Sequence, residues 1–149
     1  MELSDLYSEK ILEIAGNPPK APMPADADAS ARKVSRICGS VVSVGIKVSN
    51  GIITDYGQEV SACALGQTSA SIVAREIVGT PADEFRRVCD QMVAMLKADG
   101  EPPAGKWSDL KYLEPVRDYT PRHTSTLLVF EAVVDALDQI ESKAERGAA

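Results

Sequence analysis

Apolar and polar residues change their spacing along this chain, and each change marks a new element. Near the start Leu3, Tyr7, Ile11 and Ile14 recur at helical spacing, which predicts a first helix capped by Ser4 and complemented at its dipole by Asp5. Gly16 and the Pro18-Pro19 pair end it. Over residues 17–31 Pro and Ala dominate and periodicity fades, predicting an extended, mobile connection over the surface. The spacing then becomes two: Val42, Val44, Ile46 and Val48 alternate with Val41, Ser43, Gly45 and Lys47, as in a strand with one buried face. Asn50-Gly51 follows, two residues that accept the positive φ of a type I′ turn, and residues 52–61 form the returning strand.

Beyond residue 62 the spacing turns helical. Leu65, Ile72, Val73 and Ile77 mark one helix, with Thr68, Ser69, Ala70 and Ser71 small enough to let it lie close to the sheet, and Gly79 as its stop. Thr80-Pro81 reads as cap and first-turn proline of the next, which carries Phe85, Val88, Cys89, Met92, Val93 and Leu96 on one face. Residues 99–105 break the pattern as a loop. Ser108 is expected to cap a short helix with Leu110 and Leu113, and a last helix after Pro121 turns Leu127, Phe130, Val134, Leu137 and Ile140 inward and Asp135, Asp138 and Glu141 outward. Strands early and helices late predict an α+β fold, a small antiparallel sheet with helices packed on one face. At 149 residues the chain is expected to form one domain, 1–149.

Composition narrows the function. A formal net charge of −6 opposes nonspecific attraction to nucleic acid or anionic membranes, so neither is an expected partner. No apolar run approaches the roughly 20 residues of a membrane helix, and the amino terminus lacks the basic-then-apolar order of a secretory signal, so a cytoplasmic location is expected. Three cysteines without an export signal then suggest free thiols and either metal ligation or thiol chemistry.

The hairpin gives the cysteines a geometry. Carrying the Ser49–Ile52 pairing down an unbroken ladder sets Cys38 opposite Cys63 at the open end, where Cβ atoms are about 4.5–5.5 Å apart and two thiolates could share a metal. A bulge at Gly45 or Gly57 would upset that register. Cys63 also stands at a strand-to-helix junction, where unpaired N–H groups favour thiolate. Cys89 lies on an apolar helix face and is expected simply to pack. His123, the single histidine, is either an ordinary helix-start residue or the one nitrogen ligand available. Beside it Thr124 and Ser125 read as capping hydroxyls and Arg122 as a solvated flank. The chain contains no phosphate-binding GxxxxGK(S/T) loop, since Gly100–Lys106 is followed by Trp107, and no CxxC, HExxH or GxSxG motif. A Cys63–His123 nucleophilic pair rests on residue types alone.

Several of these segments resemble the iron–sulfur cluster scaffold family, the IscU/SufU type and the amino-terminal domain of NifU. Residues 6–13, LYSEKILE, followed by Asn17-Pro18 resemble the family's opening helix. Ile37-Cys38-Gly39-Ser40 stands where the family has Cys-Gly-Asp, and Ala62-Cys63-Ala64 with Thr68-Ser69-Ala70-Ser71 resembles its second cysteine segment and small-residue helix. Residues 122–128 resemble the stretch that bears its third cysteine. The chain departs from the family where Ser40 replaces the aspartate and Ser125 the third cysteine. In the IscU branch the histidine before that cysteine corresponds to Thr124, and the Leu-Pro-Pro-Val-Lys chaperone motif is missing.

The resemblance implies the SufE/NifU-like fold and a scaffold or carrier more than an enzyme. It further implies a cluster of the 2Fe–2S kind or iron held through Cys38 and Cys63; His123 stays a candidate metal ligand on its residue type alone, as the one imidazole in the chain. Expected partners are a cysteine desulfurase, recipient apo iron–sulfur proteins and a second copy of the chain sharing one cluster. Two alternatives stay open: a zinc-dependent sulfur-transfer partner of the desulfurase, and a relative without its ligands that acts as a binding or regulatory module.

Overall fold

The computed structural model describes residues 6–148. Its elements are α1 (Glu9–Gly16), β1 (Ala29–Ser35), β2 (Ser40–Ser49), β3 (Ile52–Ser61), α2 (Ala64–Glu76), α3 (Ala82–Lys97) and α4 (His123–Ala148), with 3-10 turns over Gly105–Asp118 and Thr120–Arg122 between the last two. The three strands form an antiparallel sheet in the order β1-β2-β3. Alternation along β2 buries Val42, Val44 and Ile46 on the side where α4 crosses β1 and β2. The α+β class expected from element order is the fold the chain adopts.

The first helix starts at Glu9, where the Ser8 hydroxyl accepts from the Ile11 N–H at 3.2 Å. Ser4, Leu3 and Asp5 lie outside the described residues. Ile11 and Ile14 turn into the core as their spacing implied.

The segment expected to be loose is instead fastened to the sheet. The Ala21 carbonyl accepts from Gln58 N–H at 2.9 Å, Asp28 accepts from Val48 N–H at 2.9 Å and Lys47 pairs with Asp26 at 2.9 Å. Residues 29–35 then form β1, a strand that the spacing concealed because its inward positions are Ala29, Ala31, Lys33 and Ser35. Gly45 and Gly57 face each other across β2 and β3 and host no bulge. They make room for this segment: a Cβ on Gly57 would overlap the Pro22 carbonyl and the Met23 backbone, and one on Gly45 would meet the Met23 methyl at 3.2 Å.

Asn50 and Gly51 have φ of 52° and 77°, the type I′ turn their sequence predicted. The register shifts three residues from it. Val48 pairs with Ile53 but Lys47 with Asp55, leaving Thr54 as an extra residue, and the ladder ends at Val41–Ser61. Cys38 and Cys63 are therefore not a cross-strand pair. Cys38 lies in the turn joining β1 to β2, and Cys63 just beyond β3.

The small residues of α2 face other helices more than the sheet. Thr68 donates to the Ile11 carbonyl of α1 at 3.2 Å and Ser69 to the Thr126 carbonyl of α4 at 2.8 Å. Thr80 does not cap α3; its hydroxyl donates to the Glu76 carbonyl, and α3 starts after Pro81. Most of the expected α3 face is buried, Val93 being the exception. Ser108 caps no helix either. Trp107, Leu110, Leu113 and Val116, every third residue, are the buried side of the long 3-10 stretch, whose three-residue turn stacks such positions in one line. Trp107 packs edge-on against Phe85 at 5.7 Å between ring centres, and Phe85 stacks on Phe130 at 6.0 Å, joining this stretch to α3 and α4. Among the described residues no helix is long and apolar enough to cross a membrane.

Candidate functional site

The turn from β1 to β2 builds one half of the site. Gly39 takes φ of 72° and donates its N–H to the Ser35 carbonyl at 2.8 Å, a geometry that sets Cys38 between two hydroxyls. Its Sγ lies 3.0 Å from Ser40 Oγ and donates to Ser35 Oγ at 3.4 Å. Burial pushes this thiol up. Hydrogen bonds from the hydroxyls of Ser35, Ser40 and Ser125 and from the Ser40 backbone outweigh that effect and bring its pKa from 9.0 down to about 7.

The junctions of α2 and α4 build the other half. Cys63 is the residue before α2, extended at φ −65° and ψ 171°, with its carbonyl accepting from the Gln67 N–H at 2.9 Å. Its Sγ donates to Ser125 Oγ at 3.6 Å. Ser125 sits in the first turn of α4, and its own hydroxyl donates to the Arg122 carbonyl at 3.2 Å. That helix can come so near because residue 66 is glycine: a Cβ there would stand 3.1 Å from the Ser125 carbonyl oxygen and 2.9 Å from Ala62 Cβ. Ser125 thus contacts Cys63 directly and also helps to lower the Cys38 pKa, so the two cysteines share one end of the molecule although they share no ladder rung.

His123 points elsewhere. It is buried, and its Nε2 lies 3.0 Å from the Val116 carbonyl and 3.1 Å from that of Arg117, so this nitrogen carries the proton and ties α4 to the 3-10 stretch. Among the described residues no three His, Cys, Asp or Glu side chains converge closely enough to hold a metal ion. The structure therefore brings Cys38 and Cys63 together with serines and does not add His123 to them. Cys89 is packed as expected: it is 8% exposed, its Sγ lies 3.9 Å from the Phe130 carbonyl, and burial pushes its thiol up. Arg122 is more than a solvated flank, since its carbonyl accepts from both Ser125 and Thr126 hydroxyls. Sequence reasoning missed Ser35. A hydroxyl three residues before a cysteine and another two residues after it, around a glycine turn, would have been the signal.

Residues 6–106 match the model of the NifU-like N-terminal domain, about two thirds of the chain. The chain belongs to the NifU-like N-terminal domain family. The crystal structure of a NifU-like protein (N-terminal) from Brucella abortus superposes with a TM-score of 0.92 at 50% identity, covering 95% of this chain and 98% of that one. The iron–sulfur cluster assembly scaffold protein IscU of Thermotoga maritima is 24% identical over 135 residues, 91% of this chain and 94% of its own length. A putative iron–sulfur cluster assembly scaffold protein for the SUF system from Fervidobacterium islandicum shares the fold, with a TM-score of 0.81 at 20% identity over 91% of this chain and 99% of that one. In this NifU-like domain the α+β sheet and helices are the family fold, and the thiol pair lies where its β1–β2 turn meets α2 and α4.

Proposed function

We propose that this NifU-like domain is a scaffold or carrier for iron–sulfur clusters, with Cys38 and Cys63 the thiolates that hold the cargo. The observation that carries this reading is the pair of cysteines held at one end of the molecule by serine hydroxyls, Cys38 by Ser35 and Ser40 and Cys63 by Ser125, with the pKa of Cys38 brought down to about 7. Soft thiolates suit iron–sulfur chemistry, and a thiolate already formed at neutral pH binds without first losing a proton. The hydroxyls of Ser35 and Ser40 lie within hydrogen-bonding reach of the Cys38 sulfur and can donate to its thiolate, which moderates its charge without competing strongly as ligands.

Such clusters normally take four protein ligands. One chain offers two thiolates, so the other two positions are filled from outside it, and the cargo is held by few enough bonds to be passed on. In this reading sulfur comes from a cysteine desulfurase and the cluster leaves for apo iron–sulfur proteins, with residues 1–149 acting as one domain. The test is anaerobic reconstitution with iron, sulfide and a desulfurase, followed by iron and acid-labile sulfide analysis. Bound iron and sulfide in equal amounts, lost in the Cys38→Ser/Cys63→Ser variant, is the expected result. Retention by that variant, or no iron and sulfide in the parent chain, would sink the reading.

A further inference from the structure

The end of the sheet that carries the cysteines differs in charge from the rest of the molecule. The chain has a formal net charge of −6, yet the segments 29–43, 57–65 and 119–126 hold Arg32, Lys33, Arg36 and Arg122 against a single carboxylate, Glu59. Lys33 is already paired with Asp135 at 3.3 Å. Among the described residues no ion pair engages Arg32, Arg36 or Arg122. Arg36 is two residues from Cys38, and Arg122 supplies the carbonyl that holds Ser125.

Apolar side chains share this surface. Ile37, immediately before Cys38, is 68% exposed, and Val34 is 46% exposed on the outward positions of β1 that Arg32 also occupies. Val41, the cross-strand partner of Val34, is half-buried beside them. An isoleucine left in water at the tip of a turn gains stability when an apolar partner covers it.

We propose that this surface docks a partner protein whose contact segment presents carboxylates around an apolar side chain. The apolar group covers Val34, Ile37 and Val41, and the carboxylates meet Arg32, Arg36 and Arg122. The proposal rests on the cluster-handling reading, since the partner would sit over the thiols that exchange the cargo. A second copy of this chain is a poor occupant: a two-fold contact uses the same patch on both copies and so brings one basic patch against another. A nucleic acid is a poor one too, because the net negative charge of the remaining surface repels an extended polyanion.

The test uses the full-length chain without cargo and three labelled probes: a short peptide of Glu, Asp and Leu, the same peptide with Lys and Arg in place of its acids, and a short single-stranded DNA. Only the acidic peptide should bind, more weakly as salt rises, with amide shifts concentrated at residues 34–41 and 122–125. Arg36→Glu should cost about tenfold in affinity, and Ile37→Ser a further loss of similar size. Both variants should load iron and sulfide like the parent, so failure of docking and failure of the cluster reading are seen in separate assays. Equal binding of the basic peptide or the DNA, indifference to Arg36→Glu, or a dimer that Arg36→Glu strengthens would overturn the proposal.

Discussion

Three serine hydroxyls surround one thiol in this protein, and a single hydroxyl reaches the other. Ser40 makes the shortest of these contacts, 3.0 Å from Cys38 Sγ, so Ser40→Ala should move the Cys38 pKa from about 7 back toward 9.0. The pH dependence of its alkylation rate measures this, with slower reaction at pH 7 in the variant. The same depressed pKa has a sign for stability: the contribution is absent below pH 7, grows as pH rises toward 9.0 and is full above it. Cys89 should behave in the opposite way, resisting alkylation in the folded chain, and Cys89→Ala should cost about 1 kcal/mol in a denaturant melt while leaving iron and sulfide loading unchanged. Cys38 and Cys63 were singled out as a pair by the hairpin register and by the likeness of their two segments to a known family. Their geometry was not legible, because one bulge at Thr54 defeats any register carried across it.

Helices and strands show where sequence patterns speak and where they fall silent. The type I′ hairpin and α3 were legible, since turn residues and apolar faces are written in local spacing. β1 was hidden: its inward side is alanine, a lysine stem and serine, and it is a strand because β2 pairs with it, not because of its own pattern. The 3-10 stretch was misread as a short helix, although Trp107, Leu110, Leu113 and Val116 carry an unbroken three-residue repeat. Leu113 is wholly buried there, so Leu113→Ala should cost about 2–5 kcal/mol in a urea melt. Gly66 governs a different property. A methyl group at this position must push α4 and Ser125 away from α2, so Gly66→Ala should lower iron and sulfide loading as well as stability, by roughly 1–3 kcal/mol. Loading equal to the parent would show that the α2–α4 spacing does not matter to the site.

Fold and ligand set are separable at the scale of the whole molecule. The core runs from Leu6 to Leu137 and includes neither Cys38 nor any part of the β1–β2 turn. Replacing Cys38 by serine should therefore leave the melting temperature within a few degrees of the parent, near the ±0.5 kcal/mol of ordinary surface changes, while Cys63, partly buried against that core, should cost about 1 kcal/mol when it too becomes serine. A chain can thus keep the family shape while its cargo site changes, which is why the fold was easier to read than the ligands. The sheet margins carry a last consequence. The outer side of β3 is pinned at Ile53 by Thr80 and at Gln58 by Ala21, and side chains of α4 close over the start of β1, Gln139 on the Ser30 carbonyl and Lys143 on that of Asp28. Only the later half of β1 has no such cover among the described residues. A stray strand from another chain has little margin to extend, which guards against edge-to-edge aggregation, and the short stretch still open leads directly to Cys38.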